Sequence, residues 1–506
     1  MQEEKMSQRQ MKEAFVSNLN GTNLMEITLG LSLPPICTVC RGLLLILFQL
    51  HSTWGIHLLV DFAILVVPLV TSCTVLSPVL FLVPLILTSL GAGMFYQIYK
   101  RRNCYLGAPP RKIIQEFLNS RLAPERIPAV THFRVFINVL TAISILAVDF
   151  PLYPRRYAKT EVYGTGVMDL GVGAFVFGNA LVCPEVRRGP GVGRSKFHYL
   201  ARQLFSVWPL VFLGLGRLIS VKSVGYHEHL SEYGVHWNFF FTLAIVKVTA
   251  SLLLVLFSPH KSWVVAMGLA VFYQIALDLA QLKVLILHGS DGRGTRVGML
   301  NANREGIFST WGYVAIYLAG VQTGLFMLKT RSLLSDWIKA IGSLLLIVSG
   351  LFTFLHIAQD YIGPVSRRMA NLAFSIWTVA QCLSFLSFLL LGDVLLVLSK
   401  FLIKGVDVPC SWNLIQSSGA VKKRETGSPA PETERKPLNL CLIAAINRNQ
   451  LLFFLLANVM TGLVNMMVDT LNSSTSWTLS LLHLYMFSNC LIMYALHILS
   501  VTVKWW

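Results

Sequence analysis

The sequence predicts an all-α protein that crosses a membrane about thirteen times, and three observations predict it. First, 54% of the 506 residues are hydrophobic and 13% are charged, with a mean hydropathy of +0.62. A soluble domain carries about 25% charged residues, and a water-soluble sphere cannot hide this much apolar surface. Second, the apolar residues form continuous runs near the length of about 20 residues that a spanning helix needs. A β-barrel would instead show alternating segments of about ten. Third, the basic residues sit in short stretches between the runs. Lipid offers the backbone no hydrogen-bond partners, so the runs are helices.

Apolar density places spans near 27–50, 56–72, 78–98, 133–149, 166–183, 203–221, 236–257, 263–286, 307–327, 336–357, 371–398, 449–470 and 477–500. Polar residues 1–23 precede the first span, with no cleavable signal peptide, so that span serves as its own targeting signal. The second and third are divided only weakly, by Thr71 to Pro78. Pro34, Pro35, Pro68, Pro84 and Pro209 are expected to kink their helices. One integral domain, 1–506, accounts for the pattern. Within it, the Ser-, Pro- and Glu-bearing stretch 416–437 reads as a disordered cytosolic linker.

The net charge of +18 does not point to nucleic acid, because the bases lie in loops where they set membrane orientation. Basic loops 99–132, 184–202 and 400–448 all follow odd-numbered spans, which puts them in the cytosol, the N-terminus in the lumen and the C-terminus in the cytosol. The two N-x-Ser/Thr sequons, at Asn20 and Asn472, then both fall on the lumenal side, where glycosylation occurs. Cys37-Thr-Val-Cys40 is the only CxxC, and it reads as buried thiols inside an apolar run.

The same parity puts 149–161, 227–237, 289–306, 366–371 and 469–474 on the lumenal face. Ionisable groups at membrane depth are functional candidates by default. Between Asp149 and Lys159, Pro151 and Pro154 stop the helix and turn the chain back, so the acid and the amine are expected to meet. Such a pair suits taking a proton from an alcohol and stabilising an oxyanion. A structural salt bridge with Arg155 and Arg156 at the headgroups is the alternative. His236, beside Trp237 and Asn238, is a candidate base or substrate partner, or an interfacial histidine in an aromatic belt. His227 and His229 lack the spacing of a helical zinc site, so no metal is expected.

Gly289 to Gly298 is rich in glycine but lacks the terminal Gly-Lys-Ser/Thr of a P-loop. Its amides, with Arg293 and Arg296, suit a phosphodiester. Asn301, Asn303 and Arg304 suit inositol or sugar hydroxyls, although Asn303 also fits a helix N-cap with Glu305 in the first turn. Arg367 and Arg368, with Asn371, fit a lipid phosphate or ordinary interfacial anchoring. Asn465 and Asp469 lie one turn apart and are expected to face the protein interior. No Gly-x-Ser-x-Gly elbow or His-x4-Asp motif supports covalent or classical acyltransferase machinery.

AVDFPLYPRRYAKTEVYGTGVMDLG, EYGVHWNFFFT, GTRVGMLNANREGI, SRRMANLAF and MVDT together resemble the glycosylphosphatidylinositol (GPI) inositol acyltransferases of vertebrates, over essentially the whole chain. The resemblance implies a multi-pass enzyme of the endoplasmic reticulum membrane. It implies transfer of a fatty acyl chain, chiefly palmitoyl, from acyl-CoA to the 2-hydroxyl of inositol in glucosaminyl-phosphatidylinositol. Acyl-CoA is then a co-substrate, and no cofactor is implied. The family's acid–lysine pair falls on Asp149 and Lys159. Arg155, Arg156, Tyr163, Trp237 and Asn238 join the substrate-binding candidates, as does Asp469. A transporter would show inverted repeats, which the sequence lacks. A scaffold subunit would not need five polar segments on one face.

Overall fold

A computed structural model describes residues 15, 17, 19–49, 53–102, 109–123, 127–188, 196–224, 230–403, 406–415 and 440–503. The expected linker at 416–437 lies outside the described residues, as do His227 and His229. Among the described residues, twelve helices are long and apolar enough to cross a membrane, beginning with Leu24–Phe48 and ending with Thr475–Ile498. The expected span at 307–327 is also a long helix, Arg304–Met327, of 24 residues. β-Structure among the described residues is limited to isolated bridges such as Gly21 with Thr165.

Arg304–Met327 is an interior helix, with most of its residues buried. It packs against helices Val167–Ala180, Phe239–Leu256, Ser262–Leu279 and Leu372–Leu402. Between helices in lipid, close packing replaces the hydrophobic drive, and small residues permit it. A Cβ on Gly320 would sit 2.7 Å from that of Ala180, and one on Gly324 would sit 2.8 Å from the Leu181 carbonyl oxygen.

The prolines act in different ways. The second span divides into Trp54–Leu65 and Val67–Ser72, with Pro68 in the first turn of the second piece. Pro34 and Pro35 stay inside Leu24–Phe48, where the Thr38 hydroxyl donates to the Pro34 carbonyl at 2.8 Å. Pro209 is the second residue of helix Trp208–Val224, a position that leaves no helical bond broken.

At one end of the bundle two of the basic loops, 99–132 and 400–448, meet. The Leu122 amide donates to the Ser332 carbonyl at 2.9 Å and the Ala123 amide to the Asn413 carbonyl at 2.8 Å. Nearby, buried Arg41 and Asp61 form an ion pair at 2.6 Å, and Asp61 also accepts the Leu442 amide at 2.8 Å. The opposite end gathers the polar segments.

Candidate functional site

Helix Pro128–Ala147 ends just before the two prolines, and Asp149 lies in the turn beyond it. The chain then passes through a short 3-10 turn, Arg155–Tyr157, and descends again as helix Val167–Ala180. Arg155 folds back onto this bend. Its Nη2 donates to the carbonyls of Val148 at 2.8 Å, Phe150 at 3.1 Å and Tyr153 at 3.1 Å. Burial lowers its guanidinium to about 10, against the opposing fields of Tyr153 and Asp149. Arg156 turns to Glu26, donating from Nε at 3.0 and 3.2 Å, and to the Ser77 carbonyl at 3.2 Å. Tyr157 also donates to Glu26, at 2.5 Å. Both arginines offered as substrate ligands are therefore engaged in shaping the bend.

Asp149 and Lys159 do not form a direct ion pair. Asp149 accepts a hydrogen bond from Asn465 Nδ2 at 2.6 Å. Lys159 Nζ donates to both carboxylate oxygens of Glu232 at 2.7 Å. The bend does reverse the chain as its prolines require, but Arg155 occupies the carbonyls on its inner side and a more distant acid takes the lysine. Burial pushes the Glu232 carboxyl up, yet Lys159, Arg367 and Arg217 outweigh this and hold it at about 2. The backbone beside Lys159 is pinned too: the Thr160 amide donates to Asp169 at 3.2 and 3.1 Å. Asp169 in turn pairs with Arg367 at 2.8 Å.

The other polar segments converge on the same end. The Val235 amide donates to the Ala302 carbonyl at 2.9 Å, and the His236 amide to Asn303 Oδ1 at 2.8 Å. The His236 side chain is exposed. Trp237 donates from Nε1 to the Thr242 hydroxyl at 2.9 Å. Ser366 donates to the Val162 carbonyl at 2.6 Å, joining segment 366–371 to the loop after the bend. Glu305, fully buried, accepts from Arg296 at 2.8 and 3.0 Å and from Arg368 at 2.9 Å. Tyr163 lies beneath the Lys283 ammonium, 5.5 Å from its ring centroid.

Several candidates hold the fold. Asn238 caps helix Phe239–Leu256 through the Phe240 and Phe241 amides, and its Nδ2 donates to the Gly214 carbonyl at 2.8 Å. Asn371 caps Leu372–Leu402 through the Phe374 amide at 3.0 Å. Asn303 stands at the N-cap position, but its side chain serves His236 and the Met299 carbonyl rather than its own helix. Asn301 donates to the Thr295 carbonyl at 2.7 Å. Buried Arg304 donates to the carbonyls of Ile286 and Thr295, both at 3.0 Å. Asp469 does not face the interior: helix Gln450–Met467 ends before it, so it is exposed and accepts from Asn472 at 2.8 Å. Asn20 and Asn472 are both exposed.

A cavity of about 380 Å³ opens beside the bend, lined by Pro151, Leu152, Thr74, Val75, Ser77, Pro78, Ser473 and Thr475. Sequence reasoning missed the anions of this end: Glu26, Asp169 and Glu232. One signal was available. With 24 acids against 42 bases, an acid beside a span is more often a partner than a decoration. Together the segments offer a carboxylate with an amide donor, a lysine held by a carboxylate, and guanidiniums around Glu305. These are groups suited to general-base chemistry on an alcohol and to binding an anionic lipid.

A protein-family model described as GWT1 matches residues 8–496. The chain is 59% identical over 506 residues to the glucosaminyl-phosphatidylinositol-acyltransferase PIGW of Bos taurus, covering 99% of this chain and 100% of the bovine one. It is 57% identical to the Homo sapiens protein of that name, with the same coverage of 99% and 100%. The GPI-anchored wall transfer protein 1 of Aspergillus fumigatus is 32% identical, over 93% of this chain and 94% of its own. The long helices, the polar end and these identities agree, and the chain belongs to the GWT1 family.

Proposed function

We propose that this acyltransferase of GPI-anchor synthesis takes its fatty acyl group, chiefly palmitoyl, from acyl-CoA and places it on the inositol 2-hydroxyl of glucosaminyl-phosphatidylinositol. The names of its relatives support the reaction class and the acceptor. The reaction belongs to GPI-anchor synthesis and takes place at the lumenal face of the endoplasmic reticulum membrane, the face we assign to the polar end. Positive-inside counting supports that assignment, since two of the basic loops meet at the other end.

The observation that carries the mechanism is the Asp149 carboxylate, held by Asn465 at 2.6 Å at the same end of the bundle as Lys159. In the proposed reaction Asp149 takes the proton of the inositol hydroxyl, directly or through a water. The alkoxide oxygen attacks the thioester carbonyl carbon and a tetrahedral oxyanion forms. Lys159 offsets that negative charge, as preorganised donors do in acyl transfer. The carbon–sulfur bond then breaks and the CoA thiolate leaves, taking up the proton that Asp149 accepted and so restoring the carboxylate. His236, exposed at this end, holds the acceptor hydroxyl or exchanges roles with Asp149. Arg296 and Arg368 share one carboxylate, Glu305, and so leave net positive charge for the acceptor's phosphodiester.

The test is direct. Purified protein is incubated with labelled palmitoyl-CoA and glucosaminyl-phosphatidylinositol, alongside Asp149→Asn and Lys159→Ala. Wild type should form labelled acylated lipid and both variants should lose at least about 100-fold in rate. Transfer by either variant near the wild-type rate removes that residue from the mechanism. No transfer by wild type overturns the assignment.

A further inference from the structure

Two of the three N–H groups of Lys159 are directed at one carboxylate, both at 2.7 Å. Its side chain is 34% exposed while that of Glu232 is 16% exposed, so the ammonium lies on the accessible side of the pair. Among the described residues no other acid pairs with Lys159. The grip on the side chain is matched by one on the backbone, where Asp169 holds the Thr160 amide and Arg367 holds Asp169. A lysine side chain has four flexible bonds, and its charge is a point without direction unless something fixes it. Here both ends of the residue are fixed.

Glu232 is itself well placed to do this. It lies in the short helix Leu230–Tyr233, and the residues that follow are stitched to the start of helix Arg304–Met327. Gly234 adopts φ +109°, a conformation that side chains rarely take, and a Cβ there would sit 2.4 Å from the Ala302 carbonyl oxygen. Four residues beyond Glu232 comes His236, whose amide is held by Asn303. The Lys159–Glu232 pair is therefore the link between the bend that carries Asp149 and the segment that carries His236.

We propose that Glu232 is the positioning residue of the reaction: its carboxylate aims the Lys159 ammonium, leaving one N–H for the thioester oxygen, and ties the two reactive segments together. The proposal rests on the reading that Lys159 acts in acyl transfer. Glu232 touches neither substrate and acts through the lysine.

The test compares Glu232→Gln, Glu232→Asp and Lys159→Ala in steady-state transfer, with the thermal midpoint of each purified variant. Glu232→Gln keeps the size but loses the charge. Its kcat should fall about 100-fold, as misplacement of a reacting group does, while KM for both substrates stays near wild type and the variant, less stable by the lost ion pair, remains folded at the assay temperature. Glu232→Asp, which restores the carboxylate one carbon short, should recover a substantial part of kcat. Wild-type kcat for Glu232→Gln, with Lys159→Ala inactive, overturns the role of Glu232 and leaves that of Lys159 standing. An active Lys159→Ala overturns the underlying reading instead. A fall in kcat that tracks a lowered thermal midpoint, with no recovery in Glu232→Asp, makes Glu232 a structural residue only and also overturns the proposal.

Discussion

Asn465 makes the sharpest local prediction. Its Nδ2 donates to Asp149 Oδ2 at 2.6 Å, from a helix, Gln450–Met467, that is far from Asp149 in sequence. A hydrogen bond to a charged group contributes about 1.5–3 kcal/mol. If Asp149 needs this donor to hold its productive position, Asn465→Ala removes that amount from the transition state. Since about 1.36 kcal/mol is tenfold in rate, transfer should slow by about 10- to 150-fold. The assay is single-turnover transfer of labelled palmitoyl by purified variants, because chemistry is then separated from product release. A double variant supplies the control. Asn465→Ala combined with Asp149→Asn should be no slower than Asp149→Asn alone, since residues acting through one contact are not additive. Full-speed transfer by Asn465→Ala, or a double variant slowed by the product of the two single effects, would refute the idea that Asn465 works through Asp149.

Other perturbations reach different parts of the account. Asp61→Ala leaves buried Arg41 without its carboxylate and the Leu442 amide without its acceptor, so it should destabilise by about 3–5 kcal/mol; the thermal midpoint of purified protein checks this, and an unchanged midpoint contradicts it. Arg368→Gln removes one of the two guanidiniums that share Glu305 and so cancels the net positive charge offered to the acceptor phosphodiester. Acceptor KM should rise by about tenfold while donor KM holds, measured by varying each substrate in turn. The Glu232 carboxyl is held at about 2 in the fold against an ordinary 4.5, so its contribution to stability is complete above pH 4.5 and is lost as pH falls toward 2. Glu232→Gln should accordingly lose less stability than wild type across that window; equal acid sensitivity would mean that the ion pair contributes nothing to it.

Much of the fold was legible because spans are written in composition. Runs such as 371–398 and 477–500 need only length and apolarity to be placed, and the ends moved by a few residues where caps such as Asn371 and Ser474 set them. Residues 307–327 followed from apolar density in the same way, and the helix there begins three residues earlier, at Arg304. The turn at Pro151 and Pro154 followed from proline chemistry alone, and the kinship followed from the long motifs around it. The side-chain partners were not legible in the same way. Glu232 lies 73 positions from Lys159, and only the packing of segment 230–236 on Arg304–Met327 brings it there. Arg155 was read as a ligand for substrate, but local geometry gave it three carbonyls of its own bend. Asn238, Asn301, Asn371 and Arg304 carry polar groups that suit a lipid headgroup equally well as a helix end, and sequence cannot separate those uses. Asp469 was misplaced because periodicity was extended two residues past the true helix end at Met467.

The most direct test is acyl transfer to glucosaminyl-phosphatidylinositol by purified wild type, Asp149→Asn and Lys159→Ala, each with its folding verified by thermal midpoint. The account predicts robust labelling of the acceptor by wild type and near-background labelling by both variants, each still folded at the assay temperature. Substantial labelling by Asp149→Asn would contradict it, because no general base would then be tied to the residue on which the mechanism turns.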